Sequence, residues 1–157
     1  MAQDSPFEVP TPRVDTSIYA MPFFATLSVT DREASTRWYV DGLDFVVLAQ
    51  LPGLTHLRRW RYQDVLLVPR AEPAPPAPSW PIRLTCSAEG SDLDVLAARA
   101  RQHAGGTVEG PVITPWNTRD LIPRDRDGFT LVLTSLAPPN EQSQEWRKRL
   151  EQWTPPR

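Results

Sequence analysis

Two stretches of strict alternation organise the chain. From Pro22 onward, Ala25, Leu27 and Val29 fall on one side and Phe24, Thr26 and Ser28 on the other, the period-two signature of a half-buried strand. Over residues 82–88 the pattern returns, with Leu84, Cys86 and Ala88 opposed to Arg83, Thr85 and Ser87. Helical spacing follows each strand. In the first half, Thr30 or Asp31 is placed to cap a helix carrying Ala34, Trp38 and Val40, which Asp41-Gly42 ends. In the second, Ser91 is placed to cap a helix over residues 92–103, with Leu93, Leu96, Ala97 and Ala100 on one face and Ala104-Gly105-Gly106 as its stop. Three strands follow each helix: residues 43–51, 54–61 and 65–68, the last two joined by a tight turn at Tyr62-Gln63-Asp64, and then residues 107–113, 118–124 and 129–134. The pattern predicts an α+β fold of two βαβββ modules, 22–68 and 82–135.

Residues 1–21 have no period and read as an arm on the surface, while residues 69–81 contain six prolines and form a connector that is neither helix nor central strand. The tail, 136–157, contains a short amphipathic helix with Trp146, Leu150 and Trp153 on one side, which needs a surface to dock on, its own fold or a second subunit. With 157 residues, 40% of them hydrophobic, the chain has material for one domain. It has no apolar run near the ~18 residues of a membrane span. A net charge of -2 gives no electrostatic ground for expecting nucleic acid or an anionic membrane as partner. The single cysteine, Cys86, excludes an internal disulfide, and the first residues lack the pattern of a secretory signal, so the expected compartment is the cytoplasm.

On these residues the sequence resembles the vicinal oxygen chelate superfamily, which includes glyoxalases, extradiol dioxygenases and the bleomycin-resistance-type binding proteins. Asp31, Ser35, Trp38-Tyr39 and Leu43-Asp44-Phe45 fall on the family's Asp, Ser, Phe-Tyr and Leu-Gly-Phe pattern, with Trp38 in place of the Phe and Asp44 in place of the glycine. Pro115-Trp116-Asn117-Thr118-Arg119 and Asp125-Arg126-Asp127-Gly128-Phe129 resemble its Pro-Trp-Gly-x-Arg and Asp-Pro-Asp-Gly-Asn signatures. Leu57-Arg58-Arg59 resembles the bleomycin-resistance branch. The resemblance implies a curved, mostly antiparallel sheet around a cavity, with the helices outside. Phe24, Thr26 and Ser28 then face the cavity from one module and Arg83, Thr85 and Ser87 from the other.

Enzymes of the superfamily bind a divalent metal through His, Gln or Glu on the first and last strands of the modules. Counting along the matched motifs, those positions fall on Phe24, on Arg83 and on Val132, and residues 65–70 offer no carboxylate, His or Gln, so no metal and no cofactor is expected. The two histidines, His56 and His103, lie in different modules, Cys86 sits on the helix-facing side, and no inward base is visible. Trp60 and Trp116 lie where the family's ligand crevice opens and offer flat surfaces for a planar ligand. Arg58 shares strand parity with Trp60, whereas Arg59 points the other way. The resemblance therefore implies a homodimeric, metal-free protein that sequesters a bulky, partly aromatic antibiotic or related natural product, giving resistance. Its expected ligand contacts are Phe24, Thr26, Ser28, Arg58, Trp60, Arg83, Thr85, Ser87, Trp116 and Val132. The alternative is a glyoxalase- or dioxygenase-like enzyme acting on a small-molecule or biosynthetic intermediate. A third reading, a regulatory or scaffold module, predicts inward polar groups paired with one another.

Overall fold

The computed structural model describes residues 14, 16, 23–60, 63–70 and 82–152. Most of the arm and of the proline-rich connector, with Trp80 and Trp153, lie outside the described residues. The two modules follow the predicted element order. In the first, β1 (Phe24–Val29) leads through α1 (Arg32–Arg37) to β2 (Val46–Leu51), β3 (Leu54–Arg58) and β4 (Asp64–Pro69). In the second, β5 (Arg83–Ser87) leads through α2 (Leu93–Gln102) to β6 (Gly106–Ile113), β7 (Thr118–Asp125) and β8 (Thr130–Leu136), and α3 (Gln144–Gln152) follows. Each module is a four-stranded sheet, ordered β1-β4-β3-β2 and β5-β8-β7-β6. The first and last strands of each run parallel, and the remaining pairs are antiparallel.

Local chemistry explains the boundaries. Asp31 caps α1, its carboxylate accepting from the Ala34 amide at 2.9 Å. The helix then widens into a π-turn over Trp38–Gly42, and Asp44, at φ 62°, turns the chain so that β2 begins only at Val46 and not at residue 43. The cap of α2 is Asp92, not Ser91: its carboxylate takes the amides of Asp94 and Val95, while the Ser91 hydroxyl accepts from Arg59.

One core serves both modules. Leu27 and Val29 of β1, Cys86 and Ala88 in and after β5, and Leu93, Leu96, Ala97 and Ala100 of α2 bury together with Trp38, Tyr39 and Phe45. The alternation seen in the sequence is thus the division between this core and the opposite sheet face. Arg59 crosses between modules on the core side, donating to the carbonyls of Leu43 and Ser87 as well as to Ser91.

Candidate functional site

The sheet face turned away from α1 and α2 carries the polar half of each alternating strand. In the first module the register sets Phe24 beside Asp64, Thr26 beside Leu66 and Ser28 beside Val68, and continues to His56 and Arg58 on β3. In the second it sets Arg83 beside Thr130, Thr85 beside Val132 and Ser87 beside Thr134. Phe24, Thr26, Ser28, Arg83 and Thr85 are exposed there, Ser87 is half-buried, and Val132 is buried without belonging to the shared core. Thr26 lines a cavity of about 320 Å³ with Ala25, Ile82, Leu84 and Phe129, from both modules. Arg83 and Thr85 line a neighbouring one of about 270 Å³ with Phe23, Gln63 and Asp64.

The two tryptophans lie elsewhere. Trp60 is half-buried in the β3–β4 turn, its carbonyl accepting from Gln63. Trp116, 55% exposed, lines a separate cavity of about 240 Å³ with Pro115, Trp146 and Arg149, where the helical tail meets the β6–β7 turn. Within one chain, then, Thr26, Arg83 and Thr85 lie close together, whereas Trp116 does not share their cavities.

Arg58 is on this face but is only 1% exposed, and its Nε donates to Asp64 Oδ1 at 2.7 Å. The same oxygen meets His56 Nε2 at 2.6 Å. No inward base is visible in the sequence, and the structure corrects that expectation by placing His56 and Asp64 together on this face. The β3–β4 turn closes at Gln63, through Arg59 N to Gln63 O and Gln63 N to Trp60 O. Asp64 is therefore a strand residue opposite Arg58, not the last residue of the turn. The available signal was the spacing of His56 and Arg58, two apart on one strand, with an aspartate just past the turn.

The aspartates of the second signature join the modules. Asp125 Oδ1 accepts from the amides of Asp127 and Phe129, and Oδ2 accepts from the Tyr39 hydroxyl at 3.0 Å. Burial outweighs these hydrogen bonds and pushes the Asp125 carboxyl up to about 6, and burial also holds the Tyr39 hydroxyl well above the usual phenol range. Asp127 accepts from the Thr30 amide. Burial likewise raises the Cys86 thiol, in keeping with an inert core side chain.

Where the family pattern has glycine, this chain has Asp44 and Asn117, both at positive φ, a region that Asn and Asp tolerate better than most residues. Asn117 also holds the start of the tail: its Oδ1 accepts from the Ser143 amide at 2.7 Å and its Nδ2 donates to the Ser143 carbonyl. Asn117→Gly keeps the backbone geometry and removes both bonds. We expect a loss of about 1–2 kcal/mol, with faster amide exchange in α3 and unchanged exchange in β3 and β4.

The family model for the Glyoxalase/Bleomycin resistance protein/Dioxygenase superfamily matches residues 22–133. The chain belongs to that superfamily. Among solved structures, it is similar to a glyoxalase/bleomycin resistance protein from Streptomyces sp. CB03234, at 26% identity and a TM-score of 0.56, covering 71% of this chain and 97% of that one. It is also similar to TnmS3, an antibiotic binding protein from the same organism, at 25% identity and a TM-score of 0.58, covering 77% and 98%. TioX from Micromonospora sp. ML1, at 20% identity, a TM-score of 0.54 and coverage of 72% and 96%, shares the fold. No curated protein matches the chain.

The metal of the superfamily's enzymes finds no donor set at the matched positions. Phe24 and Arg83 begin the first strand of each module, Val132 lies on β8, and Leu66 lies on β4 beside Thr26 as Val132 lies beside Thr85. A phenyl ring, a guanidinium and two alkyl groups do not hold a divalent ion. Among the described residues no group of three or more His, Cys, Asp or Glu is placed to hold one elsewhere, and no helix is long and apolar enough to cross a membrane.

Proposed function

We propose that the protein binds a bulky, partly aromatic natural product of the antibiotic kind and sequesters it unchanged, giving resistance by stoichiometric capture in the cytoplasm. The observation that carries this reading is the replacement of the metal-donor positions by Phe24, Arg83 and Val132, on a face that keeps polar groups and an exposed ring. The likeness to an antibiotic binding protein supports it. On this reading Phe24, Thr26, Ser28, Arg83, Thr85, Ser87 and Val132 contact the ligand, Arg58 acts from beneath, and Trp60 and Trp116 stack on its rings. The protein works as a homodimer, with two equivalent crevices at the subunit interface. Such a dimer covers Phe23, Phe24 and Ile82, which one chain leaves exposed.

The test is native mass spectrometry with metal analysis, then titration with a panel of antibiotics read by tryptophan fluorescence. A dimer without stoichiometric metal, saturable quenching and recovery of the compound at its original mass are the expected results. Trp60→Phe and Trp116→Phe each weaken binding by about two- to tenfold. One observation favours a second reading, an enzyme acting on a small-molecule intermediate: His56 and Asp64 are paired as a base and its orienting carboxylate. Recovery of the compound with a changed mass selects that reading and overturns sequestration.

A further inference from the structure

We infer that His56 is the hydrogen-bond acceptor of the ligand face, taking a phenolic or enolic O–H through Nδ1, with Asp64 and Arg58 as positioning residues. The inference rests on the binding reading and adds the chemical class of group that the first module recognises.

Geometry decides the direction of the hydrogen bond. A carboxylate accepts, so the ring nitrogen that meets Asp64 Oδ1 at 2.6 Å, Nε2, is the one that carries the proton. In the neutral ring Nδ1 is then left with its lone pair. Among the described residues it meets no hydrogen-bond partner. The cross-strand neighbours of His56, Ala49 and Leu66, bring no polar side-chain atom to it. The imidazole is also the part of this cluster that solvent reaches: its side chain is 18% exposed, against 1% for Arg58 and 0% for Asp64. A buried arginine and a buried aspartate fix one oxygen, and that oxygen fixes the ring.

Core packing does not require this arrangement. The cluster is on the face away from the shared core, and Arg58 with Asp64 already forms an ion pair. An alkyl side chain at position 56 would fill the same place without taking a polar ring from water, whereas a histidine with one nitrogen pinned and the other open is preorganised for an incoming donor. Phe24 is beside Asp64 on the next strand, 44% exposed, and supplies an apolar surface for the ring that bears the hydroxyl.

The experiment compares 1-naphthol with 1-methoxynaphthalene, which has a similar ring and no O–H donor, by calorimetry on the full chain, together with ¹⁵N NMR of the histidine rings. The wild-type protein is expected to prefer naphthol by about three- to tenfold. His56→Phe should abolish the preference and His56→Gln, whose amide can both donate to Asp64 and accept from the ligand, should restore part of it. The NMR of the wild type carries the test if His56→Phe does not fold: the Nδ1 resonance of His56 should be that of an unprotonated nitrogen and should move with naphthol but not with the ether. Equal binding of both compounds, or a preference that survives in His56→Phe, overturns the inference and leaves sequestration standing. If neither compound binds while an antibiotic of the panel does, the acceptor role falls alone. If nothing binds, both fall.

Discussion

Gly106→Ala is expected to destabilise the protein by about 3 kcal/mol or more, lowering its melting temperature by roughly 10 °C. Gly106 opens β6 opposite Asp125, and a Cβ there would be driven into the Arg124 carbonyl oxygen and to within 2.5 Å of Cζ2 of the Trp38 indole. The first is backbone in the neighbouring strand. The second belongs to a side chain that is 1% exposed and wedged at the junction of the modules, so neither has room to move. Gly105 meets the same ring from the other end, at Cβ and Cγ of Trp38, 2.5 and 2.6 Å away. This difference gives a check by double substitution. Trp38→Phe removes the outer indole ring, and so relieves part of the clash in Gly106→Ala. It leaves Cβ and Cγ in place, and so gives no relief to Gly105→Ala. Gly53→Ala is the control: nothing is within 4 Å of its Cβ position, and only its φ of 77° opposes the change, at a cost of about 1–2 kcal/mol. Equal melting temperatures for the three alanine variants would refute the packing argument.

That joint shows how far the sequence could be read. Alternation in β1 and β5 separated the core face from the opposite face correctly, because one residue of shift would turn every side chain over. Element order followed for the same reason, with the helices marked by their apolar stripes. The glycine pair 105–106 read as a helix stop, a local role, and nothing local reveals that an indole from 67 residues earlier, Trp38, rests on it. Asn117 was visible only as a departure from a glycine pattern, since its grip on Ser143 is a contact across the fold. Asp64 was misplaced by one turn position, and with it went the ion pair with Arg58 and the orientation of His56. Patterns of period two or 3.6 report on elements, whereas pairings of single polar groups across strands depend on the register, and a turn of uncertain length leaves the register open.

Asp125 supplies the second large effect, and its sign runs against the usual behaviour of a carboxylate in an ion pair. Its folded value of about 6 lies above the ordinary 3.8, chiefly because burial disfavours the charged form more than three hydrogen bonds favour it. The native state therefore holds this proton more tightly than the unfolded chain does. The stabilisation from that proton is complete below about pH 4 and is lost as the pH rises through 6, a change of roughly 3 kcal/mol by pH 7 to 8. Asp125→Asn removes the titration and keeps the geometry: the amide oxygen accepts from the amides of Asp127 and Phe129, and the amide nitrogen donates to the Tyr39 hydroxyl, which can accept. Urea unfolding of both proteins at pH 4.5 and pH 8 isolates the effect, because every other titrating group cancels in the difference. The variant should match the wild type at pH 4.5 within about 1 kcal/mol and exceed it at pH 8 by about 2–3 kcal/mol. A difference that does not change with pH would mean that Asp125 titrates as an ordinary carboxylate. The junction between Tyr39 of one module and the Asp125 turn of the other would then be held by a charge that the fold accommodates without cost.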